Sequence, residues 1–456
     1  MTAAKKDDAK EDKDVKDKFT RCQAVKGVND ILPHDHEYYT FLKKVIRHRC
    51  RQAGFRRITT PIFEHTEVFT RGIGEETDIV GKEMYTFEDK GGRSLTLKPE
   101  STAGVVRSYI ENGMVNWPQP VELYYIEPHF RYDKPQKGRY RQFWQFGLEV
   151  IGEKDPALDA QIIQLSKTVL EDCGIYALTK LKINNIGDFD SREKYAEALQ
   201  NYFIGKERSL CDDCKRRIHT NPLRVLDCKE GDCKILAQLA PKSDGYISKE
   251  SKEYHAQVLE YLKELKIDYT EDGALVRGLD YYNQTVFEFI AVDNGGQQNT
   301  VCGGGRYDKL VEIMGGAPQT PAIGFGMGLE RVIELMKKEQ IRVPSKDSLH
   351  VFVAQLGDLA KKKCLPLISE LREHGIKTVG ALGKGSMKAQ MRLADKFRVP
   401  YALVLGITEV RDGTIILRDM TMGKQEIIKI EDVVEKVIAA IGKENLDTYS
   451  PGEISY

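Results

Sequence analysis

The chain has 456 residues, enough for about three domains of ordinary size. Apolar residues make up 41% and charged residues 30%, a composition that is typical of globular proteins and excludes disorder throughout. Lys plus Arg and Asp plus Glu both total 69, so net charge indicates no class of partner, and nucleic-acid binding would depend on local basic patches. No apolar run approaches the roughly 18 residues of a transmembrane helix, so we expect no membrane partner.

The N-terminus and the cysteines favour a cytoplasmic protein. Residues 1–19 are nearly all Lys, Asp, Glu and Ala, cannot bury enough apolar surface to become ordered, and are predicted to be a disordered charged tail. This tail lacks the apolar segment of a secretory signal, and its six acidic residues without an arginine argue against a mitochondrial transit peptide. Nine cysteines, an odd number in a long chain, fit a reducing compartment better than a disulfide framework.

Residues 20–189 are predicted to form the first part of a domain built on an antiparallel sheet. A helix is predicted over 35–52, where apolar residues recur three and four positions apart. The strands that follow are separated by hairpin-like turns rather than helices, which favours antiparallel pairing. A helix over 157–173 closes this part. The predicted strands cover 58–64, 84–89, 93–97, 121–133 and 142–152.

The rest of the chain is predicted to comprise an insertion, a return to the sheet, a linker and a second domain. Residues 190–272 are mostly helical in pattern and contain a four-cysteine cluster, so we interpret them as an insertion. Sheet segments return over 273–336 and end in a small-residue strand that runs into a helix. After a polar linker over 337–348, strands alternate with helices over 349–445, which is typical of a separate α/β domain.

The strand predicted over 143–151 and the loop before it are the most informative segment. With a two-residue period, Gln145 and Glu149 lie on one face, whereas the opposite face is apolar from Trp144 to Val150. One face would pack on helices and the other would border a polar cavity. Five cations within eleven residues of the loop suit phosphate, because arginine binds oxyanions bidentately. The alternative is a solvated hairpin with a basic tip. The five cations are Arg131, Lys134, Lys137, Arg139 and Arg141.

Two segments resemble motifs of class II aminoacyl-tRNA synthetases. FRYDKPQKGRYRQFWQFGLEVIG (130–152) resembles motif 2, which implies that Arg131 grips the α-phosphate of ATP and that Phe143 stacks on adenine. PAIGFGMGLERVI (321–333) resembles motif 3, whose helix-borne arginine, here Arg331, binds the γ-phosphate. A helix N-terminus and a guanidinium both favour an anion at that place.

Four further segments resemble histidyl-tRNA synthetases in particular. VRGLDYYNQTVFEF (276–289) and CGGGRYDKL (302–310) are similar to their two signatures, and TRGIGEETDIVGKEMYTFED (70–89) and LKPEST (97–102) match in order. The resemblance implies an α+β fold. Its parts are a class II antiparallel-sheet catalytic core with a helical insertion and a C-terminal α/β anticodon-binding-like domain.

The resemblance implies a ligase that works in two steps. Histidine and ATP give histidyl-adenylate and pyrophosphate, and the histidyl group then passes to the terminal ribose of tRNA(His). The implied cofactors are ATP and Mg2+, and the implied partners are L-histidine, tRNA(His) and a second copy of the chain, joined partly through the segment around Pro61. Positioning and positive charge supply most of such catalysis. The implied catalytic residues are therefore Arg277, beside the α-phosphate, and Arg131.

The same resemblance implies the substrate contacts. The imidazole would lie between Glu149 and Tyr282, and a carboxylate and a phenol can address both of its edges as no aliphatic rival can. Aromatic core packing is the alternative for Tyr281 and Tyr282. The implied histidine-binding residues are Glu100, Ser101, Thr102, Arg131, Gln145, Glu149, Arg277, Tyr281 and Tyr282, with Gly303–Gly305 completing the pocket. The implied ATP-binding residues are Arg131, Arg139, Phe143 and Arg331.

One departure from the family concerns the segment before the first of these residues. The family usually has Arg-Pro-Glu-Gly-Thr where this chain has Lys98-Pro99-Glu100-Ser101-Thr102. Glu100 and Thr102 are kept, so the ammonium site stands, whereas the role of Lys98 is open.

The C-terminal domain resembles the anticodon-binding domain of several class IIa synthetases. A basic stripe at four-residue spacing on one predicted helix suits phosphate binding. A solvated helix face is the alternative. The stripe consists of Lys384, Lys388, Arg392 and Lys396.

The insertion carries a candidate metal site at Cys211, Cys214, Cys228 and Cys233. The pattern is Cys-x2-Cys, thirteen residues, then Cys-x4-Cys, and four thiolates give a closed tetrahedral zinc site of structural type. The second spacer is longer than the common two residues, and His219 could replace one thiol. The alternative is four reduced cysteines in a helical module.

Two other functions remain as alternatives at this stage. Another class IIa synthetase is opposed by the RGLDYY and GGGRYD segments. A catalytically inactive paralogue that acts as a regulatory subunit in histidine biosynthesis would lack the anticodon-binding domain and lose the signature arginine, whereas this chain has both.

Overall fold

A computed structural model describes residues 22–74, 77–135, 138–226, 228, 230–292, 300–344, 348–380, 383 and 385–448. The predicted tail over 1–19 lies outside these residues, as does part of the predicted linker. The chain divides into two compact units, Met1–Val343 and Pro344–Tyr456. No helix in the described part of the chain is both long and apolar enough to cross a membrane.

The first unit contains eleven strands and ten helices over its described residues. The strands are β1 (Arg56–Arg57), β2 (Phe63–His65), β3 (Tyr85–Glu88), β4 (Ser94–Leu97), β5 (Val121–Phe130), β6 (Gln142–Ile151), β7 (Thr179–Asn185), β8 (Tyr269–Glu271), β9 (Asn283–Ala291), β10 (Thr300–Arg306) and β11 (Ala322–Gly328). The helices are α1 (Pro33–Gln52), α2 (Thr66–Ile73), α3 (Thr102–Glu111), α4 (Pro156–Asp172), α5 (Phe189–Phe203), α6 (Asp212–Thr220), α7 (Gly231–Leu239), α8 (Lys249–Glu264), α9 (Leu310–Ile313) and α10 (Leu329–Lys338).

An eight-stranded sheet in the order β1-β5-β6-β11-β10-β9-β7-β8 forms the centre of this unit. Every pair from β5 to β7 is antiparallel, whereas the edge strands β1 and β8 pair in parallel. The predicted antiparallel core is therefore confirmed. A small antiparallel sheet, β2-β4-β3, adds three strands.

Strand β6 shows why the sheet has one apolar and one polar side. Phe146, Leu148 and Val150 lie in the main hydrophobic core with residues of α1, α4, α8 and α10, and Trp144 packs against that core. Because successive side chains point to opposite faces, Gln145 and Glu149 face the other way. This matches the alternation predicted from the sequence.

The segment over 190–272 differs from the predicted insertion near its end. Helices α5 to α7 build a separate hydrophobic cluster that includes Leu199, Phe203 and Ile218. Helix α8, in contrast, buries Val258 and Leu262 in the main core, and β8 pairs with β7 in the central sheet. The separate module therefore ends before α8, a boundary hidden in the sequence because the helical pattern continues across it.

The second unit is an α/β domain, as predicted. Its five-stranded sheet has the order β13-β12-β14-β15-β16. The first three strands pair in parallel, and β15 pairs antiparallel with both β14 and β16. Its strands are β12 (Val351–Gln355), β13 (Thr378–Gly380), β14 (Tyr401–Leu405), β15 (Thr414–Asp419) and β16 (Gln425–Lys429). Its helices are α11 (Asp358–Glu373), α12 (Met387–Phe397), α13 (Ile407–Asp412) and α14 (Val433–Ile441).

The predicted basic stripe lies on α12. Lys388, Arg392 and Lys396 are exposed there, whereas Lys384 lies outside the described residues.

Candidate active site

A cavity of about 510 Å³ opens on the polar side of the central sheet. Its walls come from the loop after β5, from β6, from residues 276–279, from β10 and from the junction of β11 with α10. The structure therefore brings Arg131 and Arg331, which are 200 positions apart in the chain, to one cavity, as the resemblance implies. The predicted site residues on its walls are Arg131, Arg139, Phe143, Gln145, Arg277, Gly303 and Arg331.

Four of the five arginines on the cavity wall are predicted site residues. Arg131 donates from Nε to the carbonyl of Pro99 at 2.8 Å, and Arg331 donates to the carbonyl of Thr300. Arg139 is paired with Asp133, and Arg277 with Glu288. Arg131, directly after β5, and Arg331, in the first turn of α10, therefore both place a guanidinium at the same cavity.

The arginines also act on one another. Burial, together with the nearby cations of Arg139 and Arg131, lowers the pKa of Arg331 to about 10. A guanidinium remains charged at neutral pH even so, and its lowered pKa reflects its burial and guanidinium groups that lie close enough to repel one another. Such a site favours a polyanion such as a triphosphate.

Phe143 forms a flat wall of the cavity. The guanidinium of Arg131 lies 5.4 Å from its ring centroid, and His129 stacks behind it with centroids 5.7 Å apart. An aromatic ring that is held on one side by stacking offers its remaining area to a planar ligand.

A second cluster, buried at the side of the cavity, is built around two carboxylates. Glu100 accepts hydrogen bonds from the amides of Thr102 and Ala103, both at 2.8 Å, at the start of α3. The Tyr281 hydroxyl reaches the same carboxylate at 3.4 Å. The helix N-terminus offsets part of the cost of burying this charge.

Glu149 is the other carboxylate, and it accepts three hydroxyl hydrogen bonds. Thr102 donates at 2.8 Å, Tyr125 donates at 3.2 Å, and Tyr307 donates to its other oxygen. Burial raises the pKa of Glu149 to about 8 despite these bonds. The carboxyl is therefore poised to exchange a proton near neutral pH.

The remaining residues that are predicted to bind histidine lie around these carboxylates. The rings of Tyr281 and Tyr282 are buried with centroids 4.6 Å apart. A Cβ atom on Gly303 would overlap the Arg277 guanidinium, and one on Gly324 would overlap the Glu149 carboxylate. Glycine is therefore required where the strands pass these two charged groups.

Ser101 and Lys98 lie in a different buried network. The Ser101 hydroxyl bonds to His129 Nε2 at 2.7 Å and to Glu127 at 3.3 Å. Lys98 forms an ion pair with Glu127 and donates to Thr60. Neither group is directed to the Glu100 and Glu149 carboxylates. The role of Lys98, which the sequence left open, is therefore structural: it pairs with a buried carboxylate.

Comparison with known proteins identifies the family. The family model described as histidyl-tRNA synthetase matches residues 27–332, and the model described as anticodon binding domain matches residues 350–440. The chain belongs to the histidyl-tRNA synthetase family.

Relatives of this family resemble the chain over nearly its whole length. Histidine–tRNA ligase of Anoxybacillus flavithermus is 44% identical over 90% of this chain and 97% of its own. The Bacillus subtilis enzyme of that name is 44% identical over 90% of this chain and 96% of its own. The solved structure of apo histidyl-tRNA synthetase from S. aureus has a TM-score of 0.77 at 37% identity, covering 91% of this chain and 100% of that chain.

The regulatory alternative is not favoured by these relatives. A structure from Bacillus halodurans C titled as an ATP phosphoribosyltransferase regulatory subunit/histidyl-tRNA synthetase is 20% identical with a TM-score of 0.58 and shows the fold alone. The relatives at about 44% identity are named as ligases.

The sequence of this synthetase did not reveal several contributors to the site. Tyr307 lies within the GGGRYD segment without a predicted role, and Tyr125 had no local signal because its hydroxyl reaches Glu149 only through the β5–β6 pairing. Glu288 holds Arg277. Arg224, from the insertion, also lines the cavity.

The four predicted metal ligands lie together in the insertion. The sulfur atoms of Cys211, Cys214, Cys228 and Cys233 are all within 4.8 Å of one another. Among the described residues, these four cysteines are the group of potential metal ligands that lie close together. His219 does not belong to this group.

Proposed function

We propose that this chain ligates L-histidine to tRNA(His) through a histidyl-adenylate. The observation that carries this proposal is the junction of an arginine-lined cavity with a buried two-carboxylate cluster, in a chain that belongs to the histidyl-tRNA synthetase family. One part suits a nucleoside triphosphate and the other suits a small cation with an imidazole.

Arg277 and Arg131 are assigned to the α-phosphate as catalytic residues. In adenylate formation the histidine carboxylate attacks the α-phosphorus, the bond to pyrophosphate breaks, and charge grows on the phosphate oxygens. Two fixed guanidinium groups stabilise that charge more in the transition state than in the ground state. Glu288 and Pro99 hold these arginines in place through the contacts described above.

Arg139 and Arg331 are assigned to the outer phosphates, and Phe143 to the adenine. Mg2+ takes most of its ligands from phosphate oxygens and water, so it would bind together with the triphosphate. Glu83 lies on the cavity wall, and burial raises its pKa while Arg131 and Arg139 oppose that shift.

The histidine contacts follow from the two carboxylates. We assign the ammonium to Glu100, Thr102 and Gln145, and the imidazole to Glu149 with Tyr281 and Tyr282. The Thr102–Glu149 bond at 2.8 Å supports this placement because it links the two subsites directly. Arg131 and Arg277 would face the histidine carboxylate as it approaches the phosphate. Ser101 is better assigned to the network that holds the start of α3.

The second unit would bind the anticodon arm of the tRNA. Lys388, Arg392 and Lys396 form an exposed basic stripe on α12 that supports this role. We also propose that the enzyme is a homodimer, in line with the resemblance, and that it works in the cytoplasm, where its nine free thiols would remain reduced.

The test is ATP–pyrophosphate exchange with each of the twenty amino acids. We expect exchange with histidine alone, because only an imidazole meets both the carboxylate and the phenols. Exchange with a different amino acid would overturn the assignment of substrate. Absence of exchange with all twenty would overturn the enzyme and favour a regulatory subunit.

A further inference from the structure

The four-cysteine cluster encloses a defined segment of the insertion. Cys211 immediately precedes α6, and Cys214 lies in its first turn. Cys228 follows α6 by a short connection, and Cys233 lies in the first turn of α7. The cluster therefore ties together the two ends of one segment, Cys211–Cys228, which we call the docking segment.

The geometry of the cluster matches one tetrahedral zinc ion. With zinc–sulfur bonds of about 2.3 Å, the sulfur atoms of such a site are about 3.8 Å apart. Cys211 Sγ and Cys228 Sγ are 3.8 Å apart, and all four sulfurs lie within 4.8 Å of one another. The amide of Cys211 also donates to Cys233 Sγ at 3.2 Å, a contact that favours a sulfur carrying negative charge.

The docking segment contacts the catalytic core through polar side chains. Arg217 and Arg224 both reach Asp78, at 2.6 and 3.0 Å. Asn221 donates to Asp280 at 2.7 Å, and Arg224 also donates to the carbonyl of Gly278 at 3.2 Å. Arg224 is buried, so these contacts are not those of a loosely attached module.

These contacts surround the segment that carries the proposed chemistry. Gly278 follows Arg277 directly, and Asp280 directly precedes Tyr281 and Tyr282. Asp78 and Arg224 themselves line the cavity. A change in the docking segment would therefore be transmitted to residues 277–282 directly through Asn221 and Arg224, and indirectly through Arg217, which shares Asp78 with Arg224.

We propose that Cys211, Cys214, Cys228 and Cys233 bind one structural zinc ion, and that this ion holds the docking segment in the conformation that positions Arg277. The metal site stands independently of the enzyme's identity, whereas the effect on Arg277 rests on the proposed function. A small helical module without a large core of its own commonly needs such a metal. The four sulfurs leave no open coordination position, so the ion takes no part in catalysis.

Metal analysis of the full-length protein tests the first half. After dialysis under reductant, we expect about one zinc per chain, and Cys211→Ser and Cys228→Ser should each lose it. Cys22→Ser is the matched control, because Cys22 is an exposed thiol outside the cluster. Iron in place of zinc, a disulfide within the cluster, or full zinc content in both cluster variants would overturn the metal assignment.

Exchange kinetics test the second half. In Cys211→Ser, kcat for histidine-dependent exchange should fall about tenfold or more while KM for histidine changes less than about threefold, because Arg277 acts mainly in the transition state. Arg217→Ala should keep its zinc and show the same selective loss of kcat, and Arg217→Lys should recover part of it. Unchanged kcat in Arg217→Ala, or in a zinc-free variant, would overturn the coupling.

Hydrogen exchange separates this proposal from the function it rests on. Loss of zinc should increase amide exchange over 212–226 and also over 276–282, whether or not the protein activates histidine. If wild-type protein shows no histidine-dependent exchange, the proposed function fails, while paired protection of these two segments would still support the metal-controlled docking. Protection of 276–282 that is unaffected by zinc would overturn it.

Discussion

The two halves of the active site hold their charges in opposite ways. In the cavity, Arg131, Arg139, Arg277 and Arg331 are held by carbonyl or carboxylate groups, and their side chains line an open volume. Around Glu149, three hydroxyls already occupy the carboxylate, and the groups are buried. The first arrangement is a set of guanidinium groups around an open volume, and the second is a closed set of hydrogen bonds.

This difference predicts different sensitivities. Guanidinium groups that face an open volume stabilise a well-placed anion, so losing one arginine should reduce the rate through the transition state. A closed set of hydrogen bonds depends on the donor and acceptor at every position, so even an isosteric change leaves a buried group unsatisfied. Mutations in the cavity should therefore act mainly on kcat, and those around Glu149 on affinity for histidine.

The largest expected effect is that of Arg277→Ala. Adenylate formation should fall about a thousandfold or more, because a guanidinium that meets growing phosphate charge is worth several kcal/mol. Histidine binding, measured by calorimetry, should change much less. Arg93→Ala is the matched control, since Arg93 pairs with Asp89 on the surface at 2.7 Å. Near wild-type exchange in Arg277→Ala would show that the cavity does not work through this residue.

A double variant tests whether the unpaired Glu288 carboxylate, and not the lost guanidinium, causes the defect of Arg277→Ala. Arg277→Ala leaves the Glu288 carboxylate without its partner. If Arg277→Ala/Glu288→Gln regains activity, the defect came from an uncompensated charge and not from the lost guanidinium.

Ending the chain at Pro344 should spare both halves of the site. All residues assigned to ATP and histidine lie in Met1–Val343. Exchange should remain within about threefold, whereas tRNA charging should fall about a hundredfold because the basic stripe is lost. A chain that loses exchange together with charging would show that the first unit needs the second for stability.

A surface variant refines the same test. Replacing Lys388, Arg392 and Lys396 by Ala should raise KM for tRNA and flatten its dependence on salt. The corresponding triple change at Lys361, Lys362 and Lys363, exposed on α11, should have little effect if the stripe is specific.

Glu149→Gln should mainly weaken histidine binding. The amide cannot ionise, so it cannot take the proton that the imidazole would donate to the carboxylate, and a buried group left unsatisfied costs about 1–3 kcal/mol, or roughly 5- to 150-fold in KM. KM for ATP should stay nearly constant. Glu122→Gln, a partly buried carboxyl on β5, is the control. Equal changes in both KM values would mean that the two halves are not separate.

The sequence predicted the parts of the fold that local pattern determines. Helix α1 was predicted over 35–52 and spans Pro33–Gln52, because a proline at its first turn suits a helix start better than the first apolar residue does. The strand parity of Trp144 and Glu149 followed directly from a two-residue period. These features need no knowledge of distant segments.

The parts that the sequence missed depend on distant partners. Tyr125 reaches Glu149 only because β5 and β6 pair in one register, which places Tyr125 opposite Gly147. The role of Lys98 could not be predicted because its partner, Glu127, is 29 residues away in the chain. Helix α8 was grouped with the insertion because it has the same helical pattern as its predecessors, although its apolar side packs on another core.

A last prediction leaves activity aside and concerns the pH dependence of stability that follows from the raised pKa of Glu149. Its native pKa of about 8 lies above the ordinary carboxyl value of about 4.3, so between these values the folded protein holds a proton that the unfolded chain releases. Stability should therefore decrease as pH rises from about 5 to 8, by at most about 1.4 kcal/mol per unit from this group, and level off above. Glu149→Gln removes the titration, so its melting temperature should fall less over this range than that of wild type. Parallel curves would show that the hydroxyls of Thr102, Tyr125 and Tyr307 keep Glu149 ionised and its pKa low.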